Sequence, residues 1–418
     1  MGAQRGLVRA VVAAGLIGLA TPAGGRADDG GAPPRPGQVR AVLSALKADG
    51  DALAGRGAGW LLKREYLAHL MYLATDTRGN IVGSGMYHPA QVRYGWEWLQ
   101  KHRDRNGDGA VSLAEFGGPR EWFEALDRDR DGALTKDDFD WAAGSPLAAA
   151  QGKASALFGR IDRDGNGRAT PNEWKAWFDA VGGAKGYVGQ DDLIPLFLEK
   201  KQAAGKGPPP VTRGRLQLIC AYLSGDVGPL SDGPALGEAA PDFTLPTADG
   251  KDRLAFSQRR GGRPQVLVFG SFTCNRFRAQ SGDVEDVYRR YKDKADFVAV
   301  YVREAHPTDG WALAFNEKVG ISIPQSKVFE ERRAAAATCG QSLKMTIPMV
   351  VDEIDDRAGI AYCGMPDRLY VLDAAGRVAY KGGRGPFGFK PLEMEQALVL
   401  LLAAESPPPA GGAARPPG

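Results

Sequence analysis

Apolar residues recur at helical spacing in "VRAVLSALKADGDAL" and "GWLLKREYLAHLMYLA", which predict two helices within residues 38–90. From 91 to 202 the helical stretches continue but are interrupted by acidic, glycine-bearing loops. The run "AAGKGPPP" breaks that pattern and opens a connecting segment, residues 203–237, in which "RGRLQLICAYL" reads as one more helix. The period then changes. Short β-rich runs, "VLVFGSF", "DFVAVYV", "PMVVDE", "RLYVLD" and "RVAYKGG", alternate with helical stretches such as "DVEDVYRRYKDK" and "RRAAAATCGQSL". Residues 238–404 therefore predict an α/β domain, closed by the helix "PLEMEQALVLLLAA". The final "ESPPPAGGAARPPG" lacks the apolar residues to order itself and predicts a disordered tail over 405–418. The fold class is multidomain, an all-α region followed by an α/β domain.

At 418 residues the chain exceeds one ordinary core, and ~150 residues per domain is the usual size. Its 53 basic and 50 acidic side chains nearly cancel, which removes any overall electrostatic reason to expect nucleic acid or an anionic membrane as partner. At the N-terminus Arg5 and Arg9 precede a short apolar run, Val11 to Ala20, and small residues lead to Ala23 and Ala27. This is the pattern of a secretory signal peptide over 1–27, followed by a Pro/Gly linker over 28–37. The run is too short to span a bilayer, which needs about twenty apolar residues, so an exported protein without a membrane span is expected. Four cysteines, Cys220, Cys274, Cys339 and Cys363, are too few for a disulfide scaffold. Cys220, His69 and His88 read as packing or polar residues without chemistry.

The acidic loops carry the first chemistry. "DRNGDGAVSLAE" places Asp104, Asn106 and Asp108 at alternate positions, Gly109 sixth, Ala110 seventh and Glu115 twelfth. That is the EF-hand loop: side-chain oxygens converge on a hard cation, glycine permits the turn, the seventh carbonyl ligates, and a carboxylate closes the shell. The template recurs as Asp127, Asp129, Asp131, Ala133 and Asp138 over 127–138, and as Asp162, Asp164, Asn166, Arg168 and Glu173 over 162–173. Asp138 is one methylene shorter than the usual glutamate, so the second site is expected to be weaker or more tolerant of magnesium. Residues 181–192 keep Gly186, Val188 and Asp192 in register but lack the early ligands, and are expected to pair structurally with the third loop. Leu157, Phe158, Ile161 and Trp174 are expected to pack the helices flanking that third loop. Two or three calcium ions are thus expected. Outside the cytoplasm, where calcium is about millimolar, a constitutive structural role is favoured over sensing.

The second chemistry is a lone cysteine. "APDFTLPTADGK" followed by "VLVFGSFTCNRF" resembles the start of a redoxin of the thioredoxin superfamily, with Cys274 at a helix N-terminus where backbone N–H groups favour a thiolate. The resemblance also implies a cis-proline beside the thiol, expected at Pro348 in "MTIPMVVD". More closely, "VYVREAHPTDGWA", "RLYVLD" and "YKGGRGPFGF" resemble the iodothyronine deiodinase family over roughly residues 238 to 400. There a selenocysteine followed by two residues and Phe stands where this chain has "CNRF", which accounts for Phe277 in place of a second thiol. The resemblance implies Cys274 as nucleophile, Ser271 and Thr273 as its polar neighbours, Tyr301, Glu304 and His306 as the proton-handling cluster, and Arg368 as a contact to an aromatic substrate. A second histidine expected after "Ile-Pro-Gln" is absent, Ser326 standing there.

These features imply an exported calcium-binding protein with a deiodinase-like thiol oxidoreductase domain. Its substrate would be a small aromatic or a peroxide, and its partner a thiol reductant, with Cys339 and Cys363 as candidate resolving thiols. The alternatives are a calcium-stabilised scaffold with an inactive redoxin fold, or a peroxiredoxin-like peroxidase. The latter is weakened by Ser271 where that family uses threonine.

Overall fold

The structure, a computed structural model, describes residues 90–142, 145–197, 228–229, 231–259, 262–385 and 388–405. The signal peptide, the linker, the helices expected before residue 90, Cys220 and the tail beyond 405 lie outside these residues. The described residues of 90–197 and 234–405 belong to one compact unit. The acidic-loop region and the α/β region are thus packed together. Among the described residues no helix is long and apolar enough to cross a membrane.

The first half is mostly helical rather than all-α. Strand β1 (Gln91–Val92) leads into α1 (Trp96–Arg103); the first acidic loop then carries β2 (Val111–Ser112) and exits through α2 (Leu113–Phe116). Helix α3 (Arg120–Leu126) enters the second loop, which carries β3 (Ala133–Leu134) and exits in a 3₁₀ turn, Lys136–Phe139. Apolar residues at loop position eight pair the two loops, Val111 opposite Leu134. Helices α4 (Pro146–Ile161) and α5 (Pro171–Gly182) flank the third loop, and α6 (Gln190–Phe197) follows the fourth. No strand pairing joins the third loop to the fourth among the described residues. Ile161 is buried, but Phe158 and Trp174 are exposed at 36% and 47%, so the packing expected of this second pair is only partly made.

In the second half β4 (Thr244–Pro246) and β5 (Arg253–Ala255) form a small hairpin-like pair. A six-stranded sheet follows, built from β1, β6 (Gln265–Gly270), β7 (Asp296–Tyr301), β8 (Met349–Val351), β9 (Arg368–Leu372) and β10 (Val378–Lys381) in the order β1-β10-β9-β6-β7-β8. Strands β6, β7 and β8 run parallel, while β9 is antiparallel to β6 and β10 to β9. The central β6 reads "QVLVFG" and is buried at every position, as a strand covered on both faces must be. Its alternate side chains feed two cores. Val266 and Val268 belong to the core that also holds Val284, Val287, Leu398 and the loop-half residues Trp122 and Leu126, whereas Leu267 and Phe269 belong to the core of Val298, Val300 and Tyr362.

The C-terminal helix, Pro391–Glu405, is buried on nearly all sides because the sheet lies against one flank and α3 against another. Its Gln396 shows why a polar residue is tolerated there: Nε2 donates to Leu126 O at 3.1 Å and Asp138 O at 3.0 Å, and Oε1 accepts from Trp141 Nε1 at 2.8 Å. The second acidic loop is thereby bonded into the α/β core, and Arg103 Nη2, donating to Ala403 O at 3.3 Å, ties the helix before the first loop to the same C-terminal helix.

Candidate functional site

Cys274 caps helix α7 (Asn275–Ala279), just beyond the end of β6. It is 1% exposed, and its Sγ donates to Asp367 Oδ2 at 3.0 Å. Asp367 follows the one cis peptide bond among the described residues, Met365–Pro366, and lies directly before β9. The expectation of a cis bond at Pro348 is therefore corrected. Pro348 precedes β8, two strands from β6, whereas the strand that begins beside the cysteine is β9, the antiparallel neighbour of β6.

Electrostatically the thiol differs from the sequence expectation. Burial pushes it well above the ordinary cysteine range, the Asp367 charge raises it further, and backbone N–H groups of α7 oppose this only in part. Asp367 is itself pushed up to about 6 by burial, against the bond from Cys274 and the nearby Arg276 and Arg368. Its second oxygen, Oδ1, is buried without a hydrogen-bond partner. The resting state is thus a protonated thiol facing a carboxylate that is ionised at neutral pH.

Next to this pair stands a buried polar cluster. Glu304 Oε2 accepts from Thr273 Oγ1 at 2.6 Å and Thr273 N at 2.9 Å, while Oε1 accepts from Tyr301 Oη. Tyr301 Oη accepts in turn from Phe272 N at 3.2 Å. Burial raises Glu304 in spite of these donors, and raises Tyr301 far enough to keep its proton. His306 N donates to Thr273 Oγ1 at 3.0 Å, and Ala305 N to Ser271 Oγ at 3.1 Å. Tyr301, Glu304, Ser271 and Thr273 are therefore brought together with Cys274, but as the buried frame of its loop rather than as exposed substrate contacts.

His306 Nδ1 lies 3.1 Å from Trp311 O. A carbonyl only accepts, so Nδ1 carries the hydrogen and Nε2 presents a lone pair. Burial lowers this imidazole to about 4, so it is neutral at physiological pH and is not a standing proton donor. Arg368 lies buried in β9 opposite Phe269 and donates from Nε to Gly382 O at 3.0 Å, so part of its guanidinium is spent on the β9–β10 connection. The residue that sequence reasoning missed is Asp367. Its only signal was adjacency to Arg368 in "MPDRLYV", because 93 positions separate it from Cys274. Cys339 and Cys363 are buried, reduced thiols.

The acidic loops have a common geometry. In the first, Glu115 accepts from Arg105 N at 3.2 Å and Ser112 N at 2.9 Å. In the second, Asp138 accepts from Arg128 N and Thr135 N, both at 2.8 Å, and in the third Glu173 accepts from Arg163 N at 3.0 Å and Thr170 N at 2.9 Å. Each twelfth residue also closes a capping box on its exit turn. Carboxylate oxygens of Asp127, Asp129 and Asp131, and of Asp162, Asp164 and Glu173, lie within 4.8 Å of one another. Asp127 Oδ1 is buried without a partner. That oxygen, beside two further carboxylates, suits a hard divalent cation. In the fourth loop Lys185 Nζ lies 2.7 and 2.6 Å from the two Asp192 oxygens, so an ammonium occupies the place of an ion's charge.

A buried thiol paired with a carboxylate just beyond the C-terminal end of the central strand of a mixed sheet has the groups of a thiol-chemistry site. The family comparisons specify it further. The iodothyronine deiodinase model matches residues 216–400 and an EF-hand model matches 120–140. Thyroxine 5-deiodinase of Gallus gallus is 33% identical over 207 residues, covering 47% of this chain and 78% of that protein. Type I iodothyronine deiodinase of Xenopus laevis is 32% identical, covering 40% and 63%, and the Ovis aries thyroxine 5-deiodinase 33% identical, covering 38% and 53%. The chain belongs to the iodothyronine deiodinase family. Among solved structures, a secreted disulfide oxidoreductase of Mycobacterium tuberculosis superimposes with a TM-score of 0.28 at 14% identity, covering 38% of this chain and 94% of that one.

Proposed function

We propose that this chain is a calcium-binding protein, exported from the cytoplasm, whose Cys274 performs reductive chemistry on a polarised atom of a small aromatic or peroxide substrate. The observation that carries the reading is the 3.0 Å bond from Cys274 Sγ to Asp367 Oδ2, which provides a base where the thiol must lose its proton. With an iodinated phenol, the S–H proton passes to Asp367, an S–I bond forms, and the C–I bond breaks. The aryl carbon then takes the proton back from Asp367. The carbon is reduced and the sulfur oxidised to a sulfenyl iodide. A thiol reductant displaces iodide to give a mixed disulfide, and a second thiol frees Cys274 as the reductant's disulfide leaves. With a peroxide, an S–O bond forms as O–O breaks, and Asp367 returns its proton to the leaving oxygen.

Calcium would be held by Asp127, Asp129, Asp131, the Ala133 carbonyl and Asp138 in the second loop, and by Asp162, Asp164, Asn166, the Arg168 carbonyl and Glu173 in the third. The first loop offers Asp104, Asn106, Asp108, the Ala110 carbonyl and Glu115. Bound ions would neutralise clustered carboxylates and fix the loops. The complete burial of Cys274 favours a second reading, a calcium-stabilised scaffold whose redoxin domain does no chemistry.

Incubating the reduced full chain with a dithiol and either an iodinated phenol or a peroxide separates the two. Iodide release or peroxide loss that Cys274→Ser abolishes supports the enzyme. Neither reaction, with calcium binding intact by calorimetry, leaves the scaffold.

A further inference from the structure

Among the described residues no strand pairing holds the third acidic loop to the fourth. The third loop sits on the turn between α7, which carries the thiol, and α8 (Ser281–Tyr291). Ser281 Oγ lies 2.9 Å from Asn166 O and 2.8 Å from Arg278 O, so one hydroxyl links loop position five to the thiol helix. A Cβ on Gly167 would come to 2.8 Å from Ala279 O and 2.9 Å from Arg278 O, and a Cβ on Gly282 to 2.5 Å from Gly167 O. Backbone therefore meets backbone across this seam, and glycine is required on both sides. Arg168, whose carbonyl is the seventh-position ligand, donates from Nη1 to Leu343 O at the end of the helix Phe329–Ser342.

From this seam the path to the sulfur is short and wholly buried. Arg278 Nη1 donates to Phe272 O at 2.5 Å and Nη2 to Asn316 Oδ1 at 2.7 Å. Asn316 Nδ2 donates to Thr273 O at 2.9 Å. The two residues before Cys274 are thus held by Arg278, 1% exposed, Phe272 directly and Thr273 through Asn316, and the Arg278 backbone carbonyl lies 2.8 Å from the same Ser281 hydroxyl that meets the loop. Gly165 of the same loop lies against Phe315, the neighbour of Asn316. The first two hands are bonded instead to the C-terminal helix, the first through Arg103 Nη2 to Ala403 O at 3.3 Å and the second through Gln396.

We propose that Arg278 is a positioning residue for the Cys274 loop and that the third acidic loop, when it holds calcium, latches Arg278 in place. Calcium then controls access to the thiol. The proposal rests on the calcium reading of the preceding subsection. An ion fixes the carbonyl of Arg168 and the side chain of Asn166, hence the two stretches of loop that touch α7 and α8. Without it the loop loses that geometry, the Ser281 hydroxyl loses Asn166 O and with it the link between the loop and α7, and the Phe272–Thr273 segment opens around a sulfur that is otherwise buried.

The test is the rate at which iodoacetamide labels Cys274 in the reduced full chain, followed peptide by peptide in millimolar calcium or in excess chelator, with calcium occupancy measured by calorimetry. Chelation should speed labelling roughly tenfold, the middle of the range for coupled sites. Glu173→Gln should label at the fast rate even in calcium, whereas Glu115→Gln should keep the calcium dependence. Ser281→Ala should still bind calcium at the third loop yet lose much of the dependence. Arg278→Met should label fast under both conditions, and Arg278→Lys should restore part of the difference. Calcium bound at the third loop with labelling unchanged by chelation overturns the latch and leaves the calcium reading standing. No calcium at the third loop overturns both. Loss of the dependence in Glu115→Gln would make the effect a general loosening and also overturn the latch.

Discussion

Carboxylates do opposite work in the two halves of this molecule. In the acidic loops they range from exposed, as Asp108 and Asp164 are, to buried, as Asp138 is, and they are fixed by backbone N–H groups within twelve residues, as Glu115 is by Arg105 and Ser112. At the thiol site they are buried and fixed by partners from distant segments, as Asp367 is by Cys274 and Glu304 by Thr273. An exposed loop acid and a buried site acid move in opposite directions: hydrogen bonds from Ser112 hold Glu115 below the usual carboxylate range, and burial lifts Asp367 to about 6, as it also raises the buried loop acids Asp127, Asp138 and Asp162. An exposed, locally built acid can be altered with local effect, whereas a buried one is tied to both catalysis and fold.

The largest effect that tests this contrast is on turnover. Asp367→Asn should cut single-turnover release of iodide, or loss of peroxide, by about 10² to 10⁴, the range for removing a positioned general base. Glu115→Gln, the same chemical change in a loop, should leave turnover near wild type while weakening calcium at its own site. Equal losses in both would break the comparison. In wild type the rate should rise with pH through about 6 as Asp367 ionises, and that limb should disappear in Asp367→Asn.

The next effect is on stability. A carboxyl held at about 6 in the fold against 3.8 outside it binds its proton more tightly when folded. Its contribution is therefore greatest in acid and is lost as pH rises through 6. Asp367→Asn has no such loss. The stability of the variant relative to wild type should rise by about 3 kcal/mol between pH below 4 and pH above 6, from ~1.4 kcal/mol per pKa unit. Chemical denaturation at several pH values reads this directly. His306, lowered to about 4, acts in the other direction: its contribution falls as pH drops from 6.5 towards 4. His306→Gln should flatten the acid side of the wild-type curve.

The same contrast explains what the chain disclosed before its structure. The acidic loops were legible because a fixed twelve-residue spacing contains both ligands and donors. Cys274, Thr273, Tyr301 and Glu304 were legible as a motif, and the structure brings them into one buried cluster. Asp367 was not, since only the antiparallel placement of β9 beside β6 brings it to the sulfur. The docking of the third loop on Ser281 was hidden for the same reason, with 115 positions between the partners. Burial misled in a second way: a helix N-terminus argues for a thiolate only while solvent reaches it, and here desolvation is the larger influence.

The smallest expected effect concerns Asp138. Its short side chain suggests a weaker second site that glutamate would improve. Yet its two oxygens accept from Arg128 N and Thr135 N at 2.8 Å, the same loop positions that Glu115 and Glu173 reach with one methylene more. The exit turn makes up the difference. Lys136–Phe139 is a 3₁₀ turn, whereas the other two loops exit into α-helices. Asp138 is moreover completely buried, and its carbonyl is held by Gln396 of the C-terminal helix, so an added methylene has little room. Asp138→Glu should therefore change calcium affinity at this loop by less than about tenfold, ~1.4 kcal/mol, and lower the melting temperature slightly. Calorimetry on a chain whose other loops carry Glu115→Gln and Glu173→Gln isolates the site. A gain well above tenfold would show that the 3₁₀ exit does not compensate for the shorter acid, and that a local spacing rule outweighs the contacts made to the core.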